Sequence, residues 1–136
     1  MPKLVTFVDS SVLITAARGQ DIVLRKRALD LLADPNREFA ASVFVKLEVM
    51  PKALWTRNQL EQQVYEDFFN DVKLWPSDTD AVIAQAQTEA AIYGLGSMDA
   101  LHIAAAVLLN ADEFVTIEKP AKSIHRTKSI KVVSLR

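Results

Sequence analysis

The chain has 136 residues, of which 50% are hydrophobic and 24% charged, and its formal net charge is −1. This composition excludes a disordered chain and suits a single domain spanning residues 1–136. The absence of cysteine excludes disulfides, iron–sulfur clusters and thiolate zinc sites, and only two histidines are present. No apolar run is long enough to span a bilayer and no secretory leader is recognisable, so we expect a cytoplasmic protein.

Short runs of β-branched and aromatic residues alternate with helical patterns along the chain. Strands are predicted at 4–8, 38–42, 72–75, 113–117 and 130–134, and helices at 11–18, 21–33, 43–56, 58–71, 78–94 and 98–109. The alternation predicts an α/β fold with a mostly parallel five-stranded sheet covered on both faces. The link 120–129 is too short for a full helical crossover, so the pattern supports the fifth strand less than the others.

Local signals refine some of these helices. Ser42 is a predicted N-cap for the third helix, and Ser97 is a predicted N-cap for the last one. The segment 100–109 is apolar nearly all round, which predicts a central buried helix. A broad apolar stripe on the fourth helix predicts core, with a dimer or partner surface as the alternative. The stripe consists of Leu60, Val64, Tyr65, Phe68 and Phe69.

Four acidic residues interrupt or end apolar runs. Asp9 and Glu118 follow predicted strands directly, so both should stand at the carboxyl edge of the parallel sheet, where such folds bind ligands. Asp99 falls in the first turn of its helix, and Glu48 falls about two turns into its own. Converging carboxylates repel one another unless a cation lies between them. Their oxygens suit Mg²⁺ or Mn²⁺, which favours hydrolytic attack on a phosphodiester.

Each acid also has an alternative structural role. Asp9 could cap the helix that follows it, and Asp99 could complement the dipole of its own helix. Glu48 could pair with Lys52 one helical turn away. Glu118 could be a turn residue. Four such acids on apolar backgrounds nevertheless favour a shared site over four separate roles.

Polar residues near these acids could orient them. His102 lies three residues after Asp99 on the same helical face, where it could contact Asp99 or substrate, or pack as a hydrogen-bonded histidine. The hydroxyl residues near the acids could hold them in place, or act as caps and turn formers. They are Ser10, Ser11, Ser97 and Thr116.

Basic residues are concentrated after Glu118, where no further acid occurs. A basic tail beside an acidic cluster suits a polyanion that must approach a metal, and the alternative is a solvated C-terminus. Arg18 and the cluster 25–27 could likewise hold phosphates or lie on solvated helix surfaces. The basic tail comprises Lys119, Lys122, Arg126, Lys128, Lys131 and Arg136.

The motifs, taken in order, resemble the PIN-domain family, and in particular the VapC toxins of type II toxin–antitoxin systems. The matching blocks are FVDSSVLI at 7–14, Ser42 with Glu48, MDALHIAAA at 98–106, and FVTIE at 114–118. Together they extend over almost the whole chain. No single block is specific alone, but all of them in this order and at this length are.

The resemblance implies a three-layer α/β/α Rossmann-like PIN domain with sheet order 3-2-1-4-5. It implies an endoribonuclease that depends on Mg²⁺ or Mn²⁺ and hydrolyses RNA. A homodimer and a small antitoxin protein that blocks the acidic groove are also implied. By motif position the catalytic, metal-binding acids are Asp9, Glu48, Asp99 and Glu118, supported by Ser10 and Thr116.

The sequence departs from the family pattern in a few places. Glu118 stands where the family usually has aspartate, Lys119 replaces an aromatic residue, and Val45 stands where many relatives have a hydroxyl residue. The longer Glu118 could still reach a metal, directly or through water. A catalytically weak PIN-fold binding module, acting through dimer or antitoxin contacts, is therefore a second hypothesis. A phosphoacceptor receiver domain is a poorer third, because 40–42 lacks the aspartate it needs.

Overall fold

A parallel four-stranded sheet organises the computed structural model, which describes residues 2–136. Its strands are β1 (Leu4–Val8), β2 (Arg37–Ala40), β3 (Glu113–Thr116) and β4 (Val132–Ser134), arranged in the order β2-β1-β3-β4. All three neighbouring pairs are parallel. The α/β/α fold class predicted from the sequence is confirmed.

The prediction of five strands was wrong by one. The segment 72–75 meets β2 at a single parallel bridge between Ala40 and Leu74. Pro76, which has no N–H to donate to a ladder, follows almost at once. The bridge lies on the outer side of β2, so the segment occupies the place of the third strand in the predicted order 3-2-1-4-5.

Helix boundaries lie within one residue of their predicted positions. The helices are α1 (Ser10–Arg18), α2 (Ile22–Leu32), α3 (Val43–Trp55), α4 (Gln59–Asp71), α5 (Thr79–Tyr93) and α6 (Ser97–Leu108). A 3₁₀ turn, Ser123–Arg126, lies in the link between β3 and β4. This short link is enough to bring the chain back to form β4 parallel to β3. Within residues 2–136 no single helix could cross a membrane, although α5 and α6 together have the necessary length and composition across a 116° bend.

The predicted caps are only partly correct. Ser42 occupies the N-cap of α3, but its side chain makes no capping bond and its Oγ is buried without a partner in the described part of the chain. Gly96, and not Ser97, is the N-cap of α6, because the helix starts one residue earlier, with the Ala100 amide bonded to the Gly96 carbonyl. Gly94 ends α5 at φ 67°, a conformation that glycine adopts without steric cost.

The core packs around the sheet. Phe7 and Phe114, on the adjacent strands β1 and β3, stack with their ring centroids 5.6 Å apart. Helix α6 is buried at Ala100 and throughout 102–106, which confirms the predicted central helix. The aromatic residues of the α4 stripe are buried as predicted, whereas Leu60 is 83% exposed and is not part of the core.

A buried polar network joins the neighbouring strands β2, β1 and β3 toward their amino ends. The Oε2 atom of Glu113 accepts hydrogen bonds from Thr6 Oγ1 at 2.7 Å and from Arg37 Nε at 2.9 Å. Arg37 also pairs with Asp34. Since Thr6, Arg37 and Glu113 lie on β1, β2 and β3, the network stabilises the end of the sheet opposite to the acids.

Candidate active site

Asp9 lies between β1 and α1, at the N-cap position of α1, but its carboxylate makes no capping bond. Its Oδ2 atom instead accepts hydrogen bonds from Ser11 Oγ at 2.7 Å and from Thr116 Oγ1 at 2.8 Å. The residue is 4% exposed. A buried carboxylate is costly without such donors, so these two hydroxyls hold Asp9 in place and the capping alternative is excluded.

The same two hydroxyls connect Asp9 to the chain that follows β3. Ser11 Oγ accepts a hydrogen bond from the Ile117 amide at 3.2 Å, and Thr116 Oγ1 accepts one from the Glu118 amide at 3.0 Å. Because β1 and β3 are adjacent parallel strands, their carboxyl ends meet at one edge of the sheet. Asp9 and Glu118 therefore stand at the same edge, as the sequence predicted.

Glu48 on α3 pairs with His102 on α6. Its Oε1 atom lies 2.7 Å from His102 Nε2; the histidine side chain is 1% exposed and the glutamate side chain 36%. The hydrogen bond to His102 is the main cause that lowers the pKa of Glu48, burial opposes it, and Ser10 makes a smaller lowering contribution. Among the described residues Glu48 forms no ion pair with Lys52. This pair is not predictable from the sequence, where its only signal is a histidine within an apolar helix.

Asp99, in the first turn of α6, is affected by the charges of the other three acids. Burial raises the pKa of its carboxyl most, and the negative charge of Asp9 raises it next. Glu118 and Glu48 raise this pKa further, while His102 lowers it. Asp9, Glu48 and Glu118 come from distant parts of the chain, and the charges of all three therefore act on Asp99. Glu118 contributes in this way despite its departure from the family pattern.

The donor set suits a hard divalent cation. Like-charged carboxylates that raise the pKa of Asp99 would be relieved by a cation between them. In the part of the chain that the structure describes, no three Asp, Glu, His or Cys side chains are close enough to enclose an ion directly. Mg²⁺ usually keeps several of its waters and needs only a few carboxylates. The carboxylates thus match the donor chemistry that Mg²⁺ prefers, but among residues 2–136 they do not form a closed set of ligands.

The basic residues considered for phosphate binding have other contacts. Arg18 Nη1 lies 3.9 Å from the buried Glu61. In the cluster 25–27 the two arginines donate to backbone carbonyls, and the lysine pairs with an aspartate on its own helix. None of these contacts involves the four acids. In the basic tail, His125 Nε2 lies 3.0 Å from the carbonyl oxygen of Glu118, which keeps the 3₁₀ turn beside the site.

Comparison with known families agrees with this geometry. A family model described as the PIN domain matches residues 6–119, a range that includes all four acids. The chain belongs to the PIN-domain family. The membership predicted from the motifs is thereby confirmed.

Several solved structures share this PIN fold, and they include VapBC proteins and a toxin–antitoxin complex. A chain of VapBC2 from Rickettsia felis, bound to a promoter DNA fragment, has a TM-score of 0.73 and 18% identity, covering 98% of this chain and all of its own. A chain of a Klebsiella pneumoniae toxin–antitoxin complex has a TM-score of 0.71 and 21% identity, covering 95% of this chain and 96% of its own. A chain of VapBC-1 from nontypeable Haemophilus influenzae has a TM-score of 0.66 and 16% identity, covering 96% of this chain and 98% of its own. At these identities the likeness is one of fold. Comparison with curated protein sequences found no match.

Proposed function

We propose that this PIN domain is an endoribonuclease that depends on Mg²⁺ or Mn²⁺ and hydrolyses RNA phosphodiester bonds. The observation that carries the proposal is that Asp9 and Glu118 follow adjacent parallel strands and are joined through Thr116 Oγ1 at one edge of the sheet. Burial raises the pKa of Asp99 most, and the charges of the other acids raise it further. Such crowding of carboxylates at the ligand-binding edge of an α/β sheet favours a cation. PIN domains generally use divalent metal ions, and their VapC members are typically nucleases, which supports the same chemistry.

Each residue of the site has a distinct role in this proposal. Four acids would hold the ion, namely Asp9, Glu48, Asp99 and Glu118. A bound divalent ion would supply an activated water and offset charge on the phosphoryl oxygens. Thr116 donates a hydrogen bond to Asp9 Oδ2. The other oxygen of Asp9, Oδ1, has no hydrogen-bonded partner in the described chain. Ser10 makes a smaller contribution than His102 to the lowered pKa of Glu48.

The segment after Glu118 is the part of the domain best suited to contact the RNA backbone. It carries basic residues and no acid, and His125 anchors it to the Glu118 carbonyl. Exposed lysines beside an acidic groove attract phosphates to the edge of the site without neutralising the acids themselves. The segment thus complements the acids in binding a polyanion.

We further infer that the enzyme is the toxin of a toxin–antitoxin pair, acts in the cytoplasm and forms a homodimer. The solved structures with the same fold come from complexes of toxins with antitoxins, which supports a small protein partner. Exposed apolar side chains on α3 and α4 offer surfaces that a protein partner would cover. They are Val43, Leu47, Leu54, Trp55 and Leu60.

The decisive experiment is RNA cleavage by purified protein that is free of antitoxin. Structured and single-stranded RNA are incubated with Mg²⁺, Mn²⁺ or EDTA, and Asp9→Asn and Asp99→Asn are assayed beside the wild type. We expect cleavage that requires metal and is abolished by either substitution, with the fold retained by circular dichroism. Undiminished cleavage by both variants would exclude the shared acidic site.

A catalytically weak binding module is the second candidate function. The observation that favours it is Glu118 at the position where the family usually has aspartate. Against it stands the charge of Glu118, which is one of the causes, after burial and Asp9, that raise the pKa of Asp99. Folded, antitoxin-free protein that leaves every RNA intact in Mn²⁺, yet forms a dimer in light scattering, would favour the binding module.

A further inference from the structure

His102 is a buried polar residue in an apolar helix. Its side chain is 1% exposed, and its neighbours along α6 are largely apolar and buried. An apolar side chain would fill such a place without the cost of desolvating an imidazole. One ring nitrogen, Nε2, lies 2.7 Å from Glu48 Oε1, whereas Nδ1 is buried and has no partner among residues 2–136. Among residues 2–136, Glu48 is therefore the only side chain that forms a hydrogen bond with the ring.

The unequal surroundings of the two nitrogens assign the ring hydrogen to Nε2. A carboxylate oxygen only accepts hydrogen bonds, so the nitrogen that faces it must donate. A hydrogen on Nδ1 would be a buried donor without an acceptor, and such donors are rarer in proteins than unused acceptors. His102 thus presents one N–H group, and Glu48 receives it.

Without such a donor, the carboxylate of Glu48 would turn toward solvent. Its side chain is 36% exposed and has several rotatable bonds, so in isolation it would sample many conformations. Its negative charge repels Asp99, whose pKa is raised in part by Glu48. Repulsion and rotational freedom both favour a carboxylate turned toward solvent. The bond to His102 opposes both effects.

We propose that His102 is a positioning residue that holds one oxygen of Glu48 within the acidic cluster and leaves the other oxygen available to a divalent ion. The role in metal binding rests on the function proposed above, while the contact between His102 and Glu48 does not depend on it. Donors behind a metal-binding carboxylate commonly contribute about 10- to 100-fold to metal affinity. The ring thus acts through Glu48 and does not touch the ion.

Three variants separate this role from simple packing. His102→Leu introduces an apolar side chain of comparable size and removes the donor, whereas His102→Gln carries an amide N–H that can replace Nε2–H. Ile103→Ala is the matched control, because Ile103 is the next residue of α6, is fully buried and has no polar side-chain atom. Mn²⁺ affinity by calorimetry is the main readout, with thermal unfolding recorded alongside it.

We expect His102→Leu to weaken Mn²⁺ binding by about 10- to 100-fold and His102→Gln to recover most of that loss. Ile103→Ala should lower the melting temperature without changing Mn²⁺ affinity. In a double-mutant cycle, His102→Leu should add little to the loss caused by Glu48→Gln. Equal Mn²⁺ affinity in His102→Leu and the wild type would overturn the positioning role.

Ring ¹⁵N chemical shifts of the metal-free protein provide a test that needs neither metal nor a folded His102 variant. A hydrogen on Nε2 is expected, and Glu48→Ala should shift that nitrogen. A hydrogen on Nδ1, or shifts that ignore Glu48→Ala, would overturn the proposal. A wild type that binds no Mn²⁺ would refute the proposed metal site, and the ring shifts would then decide the contact by themselves.

Discussion

The Oγ1 atom of Thr116 donates a hydrogen bond to Asp9 Oδ2 at 2.8 Å, although the two residues are 107 positions apart in the chain. Oγ1 also accepts the Glu118 amide hydrogen, so one buried hydroxyl contacts the segments that carry two of the four acids. A donor behind a carboxylate fixes its orientation and its charge state. Thr116 is thus the link between the carboxyl ends of β1 and β3.

Thr116→Val removes this donor and keeps the shape of the side chain. Because Asp9 then loses one of its two hydroxyl partners in a buried place, we expect the free energy of unfolding to fall by about 1–3 kcal/mol. Metal-dependent RNA cleavage should fall by about 10- to 100-fold. Denaturant unfolding and an RNA cleavage assay measure the two effects. Thr116→Ser retains the hydroxyl and should remain close to the wild type in cleavage.

Asp99→Asn should raise the melting temperature near neutral pH in the absence of metal. Burial, followed by the charge of Asp9, raises the pKa of Asp99 above its ordinary value of 3.8. A group with a raised folded pKa contributes stability that is fully present below the unfolded pKa and is lost as pH rises through the folded value. Asparagine cannot ionise and avoids that loss. The gain should therefore shrink as pH falls toward 3.8.

Thermal unfolding of the wild type and Asp99→Asn in EDTA, across this pH range, measures the effect. Adding Mn²⁺ should then stabilise the wild type, by about 2.7 kcal/mol at one hundred times Kd, and stabilise the variant much less. A wild type that melts above Asp99→Asn at neutral pH in EDTA would contradict the crowding of carboxylates around Asp99.

Glu118→Asp restores the residue type that the family usually carries and should cleave RNA at least as fast as the wild type. The expectation rests on the Glu118 amide bonded to Thr116 Oγ1, and on the charge of Glu118, which contributes after burial and Asp9 to the raised pKa of Asp99. Glu118→Gln keeps the length but removes the charge, and should cleave more slowly. Initial rates at saturating Mn²⁺ provide the comparison. A large loss in Glu118→Asp with the fold intact would count against Glu118 as a metal-site acid.

Glu113→Ala should destabilise the domain without altering its active site. The substitution leaves Thr6 and Arg37 without their shared acceptor, which costs about 1–3 kcal/mol. Glu113 lies at the amino end of β3, away from the acids, so RNA cleavage per folded molecule should not change. The exposed Glu66→Ala, expected within about 0.5 kcal/mol of the wild type, serves as the control in urea unfolding. Lost cleavage by fully folded Glu113→Ala would show that the two ends are coupled.

Sequence patterns located the helices closely because helix boundaries depend on local periodicity and capping. The segment 72–75 shows where this reasoning fails, because a strand also needs a backbone partner along its length. Only Leu74 forms a bridge to β2, and Pro76 interrupts any longer ladder. The prediction that Leu60 is buried was wrong for a related reason. The position of Leu60 matches the periodicity of the buried stripe, but this part of the α4 surface is exposed.

The sequence by itself determined the α/β alternation, the family, and the placement of Asp9 and Glu118 after adjacent strands, because these depend on local patterns and on the geometry common to parallel sheets. Only the tertiary structure decided that Glu48 pairs with His102 and that Thr116 holds Asp9. These contacts depend on how α3 packs against α6 and on the pairing of β1 with β3. Local periodicity does not encode the relative rotation of two helices, so such bonds emerge only when the chain is folded.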